Sequence, residues 1–279
     1  MTPVERWDEL VHGGVRRTYR LVVPAARTDV PIPLVVALHG GLQSVEGLAR
    51  MSDLDGEAER SGFAVAYPEG LQRTWNAGRC CGPAMKSGVD DVGFVMALVD
   101  RAIERDGVDP ARVYATGISN GGQLAYRLAT ERAARFAAIA PVAASMMNDG
   151  TPAAPVSVLH IHGTRDRMIP FGGGVGERSL TRVTNPPVRE VIDRWRRIAG
   201  ADDRPTIEHR PPATIETWTA PDGTEIVLCS IERGGHIWPG PHTRLRSVAS
   251  AFDATPFVWT FFARHRRADA QRPPSEGAQ

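Results

Sequence analysis

The chain has 279 residues, 42% of them hydrophobic, which is enough to bury one sizeable core. Its 33 basic and 32 acidic side chains nearly cancel, so no one-signed field is available to gather nucleic acid or an anionic membrane surface. The three cysteines, Cys80, Cys81 and Cys229, are too few for a disulfide scaffold and lack zinc-ligand spacing; a Cys81–Cys229 bridge and three free thiols both stay open.

Along the chain, short apolar, β-branched runs are expected to be strands at residues 19–23, 34–38, 63–67, 113–116, 137–142, 156–161 and 225–231. Segments of helical period lie between them. Val95, Leu98, Val99, Ala102 and Ile103 mark one helix stripe, and Val188, Val191, Ile192, Trp195 and Ile198 mark another, with Pro186 and Pro187 at its start and Gly200 past its end. This alternation predicts an α/β fold with a mostly parallel central sheet and helices on both faces. About ten residues separate the strand ending near Ala144 from the next at Val156, too few for a large helical cap. Two glycine-containing irregular stretches, residues 72–89 and 171–185, are expected to rim a cleft. Residues 1–267 read as a single domain and 268–279, polar with Pro273 and Pro274, as a disordered tail. No apolar run is long enough to span a membrane, and residues 1–6 lack the layout of a signal peptide, so as written the chain is expected in the cytoplasm, with secretion as the alternative.

The strongest chemical signal is Gly117-Ile118-Ser119-Asn120-Gly121, a G-x-S-x-G sequence between an expected strand and an expected helix. A sharp strand-to-helix turn of this kind exposes the serine hydroxyl as a nucleophile, and the helix N-terminus favours developing negative charge. A serine hydroxyl needs a base, and the base needs an orienting acid. Asp166, just after the 156–161 strand, and His236, in Gly234-Gly235-His236 after the 225–231 strand, supply them in the order this fold type uses. Asp193 and Asp222 are weaker candidates, being placed on an outward helix face and in a turn. His39, His160 and His162 fall in or beside strands, where satisfied, buried imidazoles are expected. Backbone amides of Asn120 and of Gly41 or Leu42 are the candidate oxyanion donors. Trp75, Trp238 and Gln43 are candidate substrate contacts, with a packing role equally open for either tryptophan. Asp90 and Asp91 read as a helix cap rather than a metal site. This constellation predicts the α/β-hydrolase fold, with catalytic Ser119, Asp166 and His236 and no metal.

His39-Gly40-Gly41, Trp75 to Gly78 with Cys80-Cys81-Gly82, Asp90 to Phe94, Gly117 to Gly122, His162-Gly163-Thr164 with Asp166, and Gly235 to Gly240 together resemble the polyhydroxybutyrate depolymerase-type esterases, which include feruloyl and acetylxylan esterases. The resemblance covers most of residues 15–265. It implies a cofactor-free serine esterase whose substrate is a small or polymer-linked ester. A feruloyl-type carboxylesterase is the first expectation and a polyhydroxybutyrate or other polyester depolymerase the alternative. A non-catalytic α/β-hydrolase scaffold used for binding is the alternative of another class.

Overall fold

The computed structural model describes residues 3–25, 30–242 and 248–267; the expected disordered tail lies outside them. The chain forms strands β1 (Val4–His12), β2 (Val15–Val23), β3 (Ile32–Leu38), β4 (Ala64–Pro68), β5 (Val108–Ile118), β6 (Ala138–Val142), β7 (Ser157–Gly163), β8 (Thr206–Arg210), β9 (Ala213–Thr219) and β10 (Glu225–Ile231). They make one ten-stranded sheet in the order β1-β2-β4-β3-β5-β6-β7-β10-β9-β8. The six strands from β4 to β10 in that order are parallel, and an antiparallel pair flanks them at each end.

The parallel strands are buried on both faces, β4, β6 and β7 along their entire lengths, which is why they read in sequence as mostly apolar runs, interrupted in β7 by His160 and His162. Helices supply the cover. α4 (Asp91–Asp106), α5 (Asn120–Glu131) and α6 (Val188–Ala199) pack Val95, Leu124 and Val191 into one apolar layer. On the other face α1 (Val45–Ser52), α2 (Leu54–Ser61) and α7 (Ala254–Ala263) contribute Leu48, Leu54 and Phe261 to a second layer. The short α3 (Gly82–Lys86) belongs to a loop. The α6 boundaries follow the sequence expectation, with Pro187 at the start and Gly200 in the left-handed conformation at the end.

Three strands have no counterpart in the sequence expectation. β8 is exposed at every position and carries Glu208 and Arg210, the charged guarding common on a sheet edge. β1 is mostly solvent-facing, and β9 is the inner partner of the β8 hairpin. Residues 143–156, between β6 and β7, contain no helix, so nothing there covers the carboxyl ends of the strands. Among the described residues, no helix is long and apolar enough to cross a membrane.

Candidate active site

Ser119 follows directly on β5 and is the residue before α5. Its φ of 56° and ψ of −123° place a non-glycine residue in the left-handed half of backbone space, a costly conformation held by its surroundings. Those surroundings are visible. The Ser119 amide donates to the Val142 carbonyl at 2.9 Å, and its carbonyl accepts from the Gln123 amide at 2.9 Å. A side chain at Gly121 would fall on the carbonyls of Leu38 and His39, so only glycine lets α5 start this close to the end of β3.

Asp166 lies three residues beyond β7 and His236 five beyond β10, strands that are neighbours in the sheet. Gly163 allows the two loops to touch: a Cβ there would collide with the Gly234 carbonyl, and that carbonyl accepts from the Arg165 amide at 2.8 Å. His236 Nδ1 donates to Asp166 Oδ2 at 2.7 Å, which in a neutral ring leaves the lone pair on Nε2. Asp166 Oδ1 accepts from the amides of Met168 at 2.7 Å and Ile169 at 2.9 Å. Burial opposes ionisation of this carboxyl, but hydrogen bonds from His162 and His236 outweigh it and hold its pKa well below the usual carboxylate range. Asp166 and His236 are thus joined directly, at the same carboxyl edge of the sheet that carries Ser119.

Ser119 opens on a cavity of about 170 Å³. Its walls carry Cys80, Cys81, Met168, Ile169, Leu180 and Val183, and among the described residues no charged side chain lines it. The two irregular stretches expected to rim a cleft do so. Ile169 links the cavity to the Asp166–His236 pair, since it is a wall residue and its amide holds Asp166. Cys80 and Cys81 are disulfide-bonded to each other, and Cys229 is a buried free thiol in β10, which overturns a Cys81–Cys229 pairing. Burial pushes the Cys229 thiol far up.

The oxyanion candidates separate. The Leu42 amide donates to the Arg73 carbonyl at 2.7 Å and is therefore spent, although Leu42 lines the cavity. Gly41 lies against Asn120, with a Cβ position 3.7 Å from that of Asn120, and both line the cavity beside Ser119. As the first residue of α5, Asn120 has no intrahelical acceptor for its amide.

Neither tryptophan lines the cavity. Trp75 is fully buried, and its indole donates to the His39 carbonyl at 2.8 Å. Its backbone clamps the Asn120 side chain, donating to Oδ1 at 2.7 Å and accepting from Nδ2 at 3.0 Å. Trp75 therefore ties together the two chain segments that present Gly41 and Asn120. Trp238 is also fully buried, in the apolar layer beneath α7, with its indole on the Thr255 hydroxyl at 2.9 Å. Gln43 turns back on its own loop, accepting from the Gly40 amide at 3.1 Å. None of these three side chains is among the residues that line the cavity, and each indole N–H and the Gln43 carbonyl serve internal partners.

Asp90 caps α4, accepting from the Gly93 amide at 2.8 Å, and Asp91 is buried against Arg17 at 2.7 Å. The other Asp91 oxygen accepts from the Asn76 amide at 2.7 Å and so holds the strand-like turn that carries Trp75. Among the described residues no cluster of potential ligands could hold a metal ion. Sequence reasoning placed the rim in the two irregular stretches but named none of the wall side chains. Their signal was the apolar pair Met168 and Ile169 directly after the acid, and isolated Leu180 and Val183 in an otherwise polar loop.

A strained serine between a strand and a helix, at the carboxyl edge of a central parallel sheet, defines the α/β-hydrolase class. Acetyl xylan esterase from Aspergillus awamori superposes with a TM-score of 0.65 at 16% identity, over 92% of this chain and 99% of that one, a likeness of fold. The family described as Esterase PHB depolymerase matches residues 17–176. "Putative esterase NocK" of Nocardia uniformis subsp. tsuyamanensis is 34% identical over 268 residues, 86% of this chain and 78% of the relative. Feruloyl esterase B of Piromyces equi is 29% identical, over 75% of this chain, which spans 40% of that protein's length. The chain belongs to the PHB depolymerase esterase family and is a carboxylic-ester hydrolase.

Proposed function

We propose that Ser119 is the nucleophile, His236 the general base and Asp166 the residue that orients it, in a two-step hydrolysis of carboxylic esters. His236 Nε2 takes the Ser119 proton as the hydroxyl attacks the ester carbonyl. The amides of Asn120 and Gly41 stabilise the oxyanion, and the alcohol leaves with the proton from His236. Water, activated by the same imidazole, then releases the acid from the acyl-serine. No metal or cofactor enters this scheme.

The observation that carries the reading is Ser119, with its positive φ, at the floor of a cavity lined among the described residues mainly by apolar side chains, whose wall residue Ile169 also holds the carboxylate bound to His236. A wall of Met168, Ile169, Leu180, Val183 and a disulfide favours an apolar or aromatic acyl group, as in the esters implied by the feruloyl esterases among the relatives. Leu42 and Leu180, 54% and 77% exposed at the cavity, favour as a second reading a longer, polymer-linked ester that continues past the mouth.

Release rates measured side by side on methyl ferulate, short p-nitrophenyl esters and hydroxybutyrate oligomers separate these readings; the first is expected to have the highest kcat/KM. A preference of tenfold or more for the oligomers would replace it by the polyester reading. A fluorophosphonate probe should label the protein and fail to label Ser119→Ala. An unlabelled native protein would instead make the fold a binding scaffold.

A further inference from the structure

Beneath Asp166 lie three buried titratable side chains that the proposed triad does not use. Tyr126 on α5 and His160 and His162 on β7 are at most 1% exposed. They form one continuous line. The Tyr126 hydroxyl is 2.8 Å from His160 Nδ1, and His160 Nε2 is 3.0 Å from His162 Nδ1. His162 Nε2 is 2.8 Å from the Ile169 carbonyl oxygen and 3.4 Å from Asp166 Oδ2. The two imidazoles are two residues apart on a strand, so they project from one face, with rings 9° from parallel.

The end of the line sets its direction. A carbonyl oxygen can only accept, so His162 Nε2 must carry a hydrogen. With neutral rings, His162 Nδ1 is then an acceptor, which only an N–H on His160 Nε2 can serve. His160 Nδ1 is in turn an acceptor, and the Tyr126 hydroxyl donates to it. Every hydrogen bond in the line then points toward Asp166.

What the line grips matters as much as its direction. His162 Nε2–H meets both the Asp166 carboxylate and the Ile169 carbonyl, while the Ile169 amide donates to the other oxygen of the same carboxylate. His162 therefore fastens the turn from Asp166 to Ile169 at two points. One of the carboxylate oxygens is shared between two histidines, His236 on the substrate side and His162 from inside the sheet.

We infer that Tyr126, His160 and His162 form a buried hydrogen-bond line that positions Asp166, with His162 as its direct contact. The inference rests on the triad assignment above. None of the three touches substrate; they are positioning residues, acting through the carboxylate, and the proton inventory of the reaction is unchanged by them.

Steady-state kinetics on p-nitrophenyl butyrate, with folding checked by circular dichroism, test it. His162→Phe keeps a ring in place but removes the donor, and kcat should fall about tenfold with KM within twofold of wild type. His162→Gln, whose amide nitrogen can stand near the Nε2 position, should recover most of that loss. Placed on Asp166→Asn, His162→Phe should cost less than about twofold, because the carboxylate it acts through is gone. Should His162→Phe fail to fold, Tyr126→Phe removes one hydroxyl at the far end and should lower kcat about two- to threefold, again only when Asp166 is present. In ¹⁵N spectra near pH 7.5 both imidazoles should be neutral with the hydrogen on Nε2. Additive losses in the double variants, wild-type kcat in the folded single variant, or a charged or Nδ1–H His162 would overturn the inference. Full activity in Asp166→Asn would overturn the triad assignment instead, so the two failures are told apart.

Discussion

The floor of the cavity and its outer wall are built on opposite principles. At and beneath the floor, Ser119, Asn120, His39 and Trp75 are immobilised by buried polar contacts, and nearly every donor and acceptor has a named internal partner. The wall between Met168 and Asn185 carries Leu180, 77% exposed, on a segment whose tethers include the Gly174–Asn185 bridge and the Arg178 amide on the Arg167 carbonyl. Oxyanion donors must stand where charge will develop, within fractions of an ångström, which requires a rigid and even strained support. Recognition of an apolar acyl group needs only area and shape, which a loop can supply and vary. The difference predicts a division of labour: changes to the floor should act on kcat, and changes to the wall on KM and substrate preference.

The largest effect should come from the floor. Asp166→Asn leaves the shape intact but removes the acceptor that fixes the His236 tautomer, and kcat should fall about 10⁴-fold with KM little changed, measured on a p-nitrophenyl ester. A loss of less than tenfold would mean that another acid serves His236. The same carboxyl links the site to stability. Its folded pKa is depressed, so its contribution is present above the unfolded value of about 4 and is lost as pH falls through the lower folded value. The melting temperature of the wild type should therefore drop on acidification below about pH 4 more steeply than that of Asp166→Asn.

Next in size is Trp75→Phe. The ring remains as filling, but the hydrogen bond to the His39 carbonyl is lost, and with it one of the ties between the segments presenting Gly41 and Asn120. We expect kcat to fall roughly 10- to 100-fold, KM to hold within about twofold, and the fold to survive with a lowered melting temperature. A matching rise in KM would place Trp75 on the substrate after all and erase the contrast between floor and wall.

How much of this was legible follows the same physics. Strands β4, β6 and β7 could be read because burial on both faces keeps them mostly apolar, β7 even with its two histidines. β8 could not, since Thr206 to Arg210 is exposed throughout and is a strand only because β9 pairs with it. The positions of Ser119, Asp166 and His236 were readable because each follows a recognisable strand at the edge where the loops collect. For Trp75 and Trp238 the sequence left substrate contact and packing equally open, because nearness to a motif says nothing of which way a side chain points, and both point inward. His160 and His162 were legible as buried imidazoles, but their alignment with Tyr126 depends on how α5 packs on β7, a long-range fact with no local signature. The Cys80–Cys81 disulfide depends equally on conformation that spacing does not encode.

The smallest effect belongs to the wall and is the one that defines it. Leu180 is largely solvent-facing, so it contributes little to the fold, and Leu180→Ala should leave the melting temperature within about a degree or two. It does contribute apolar area to the cavity that holds the acyl group. For esters with bulky apolar acyl groups KM should rise about threefold, roughly the worth of one methylene or less in a part-open site, while kcat is unchanged. For an acetyl ester, too short to reach the outer wall, neither constant should move. A series of p-nitrophenyl esters of increasing acyl length measures where that difference sets in. If KM rises equally for acetyl and long acyl esters, or if kcat falls in step with it, Leu180 is coupled to the reacting centre, and the wall is part of the same rigid device as the floor.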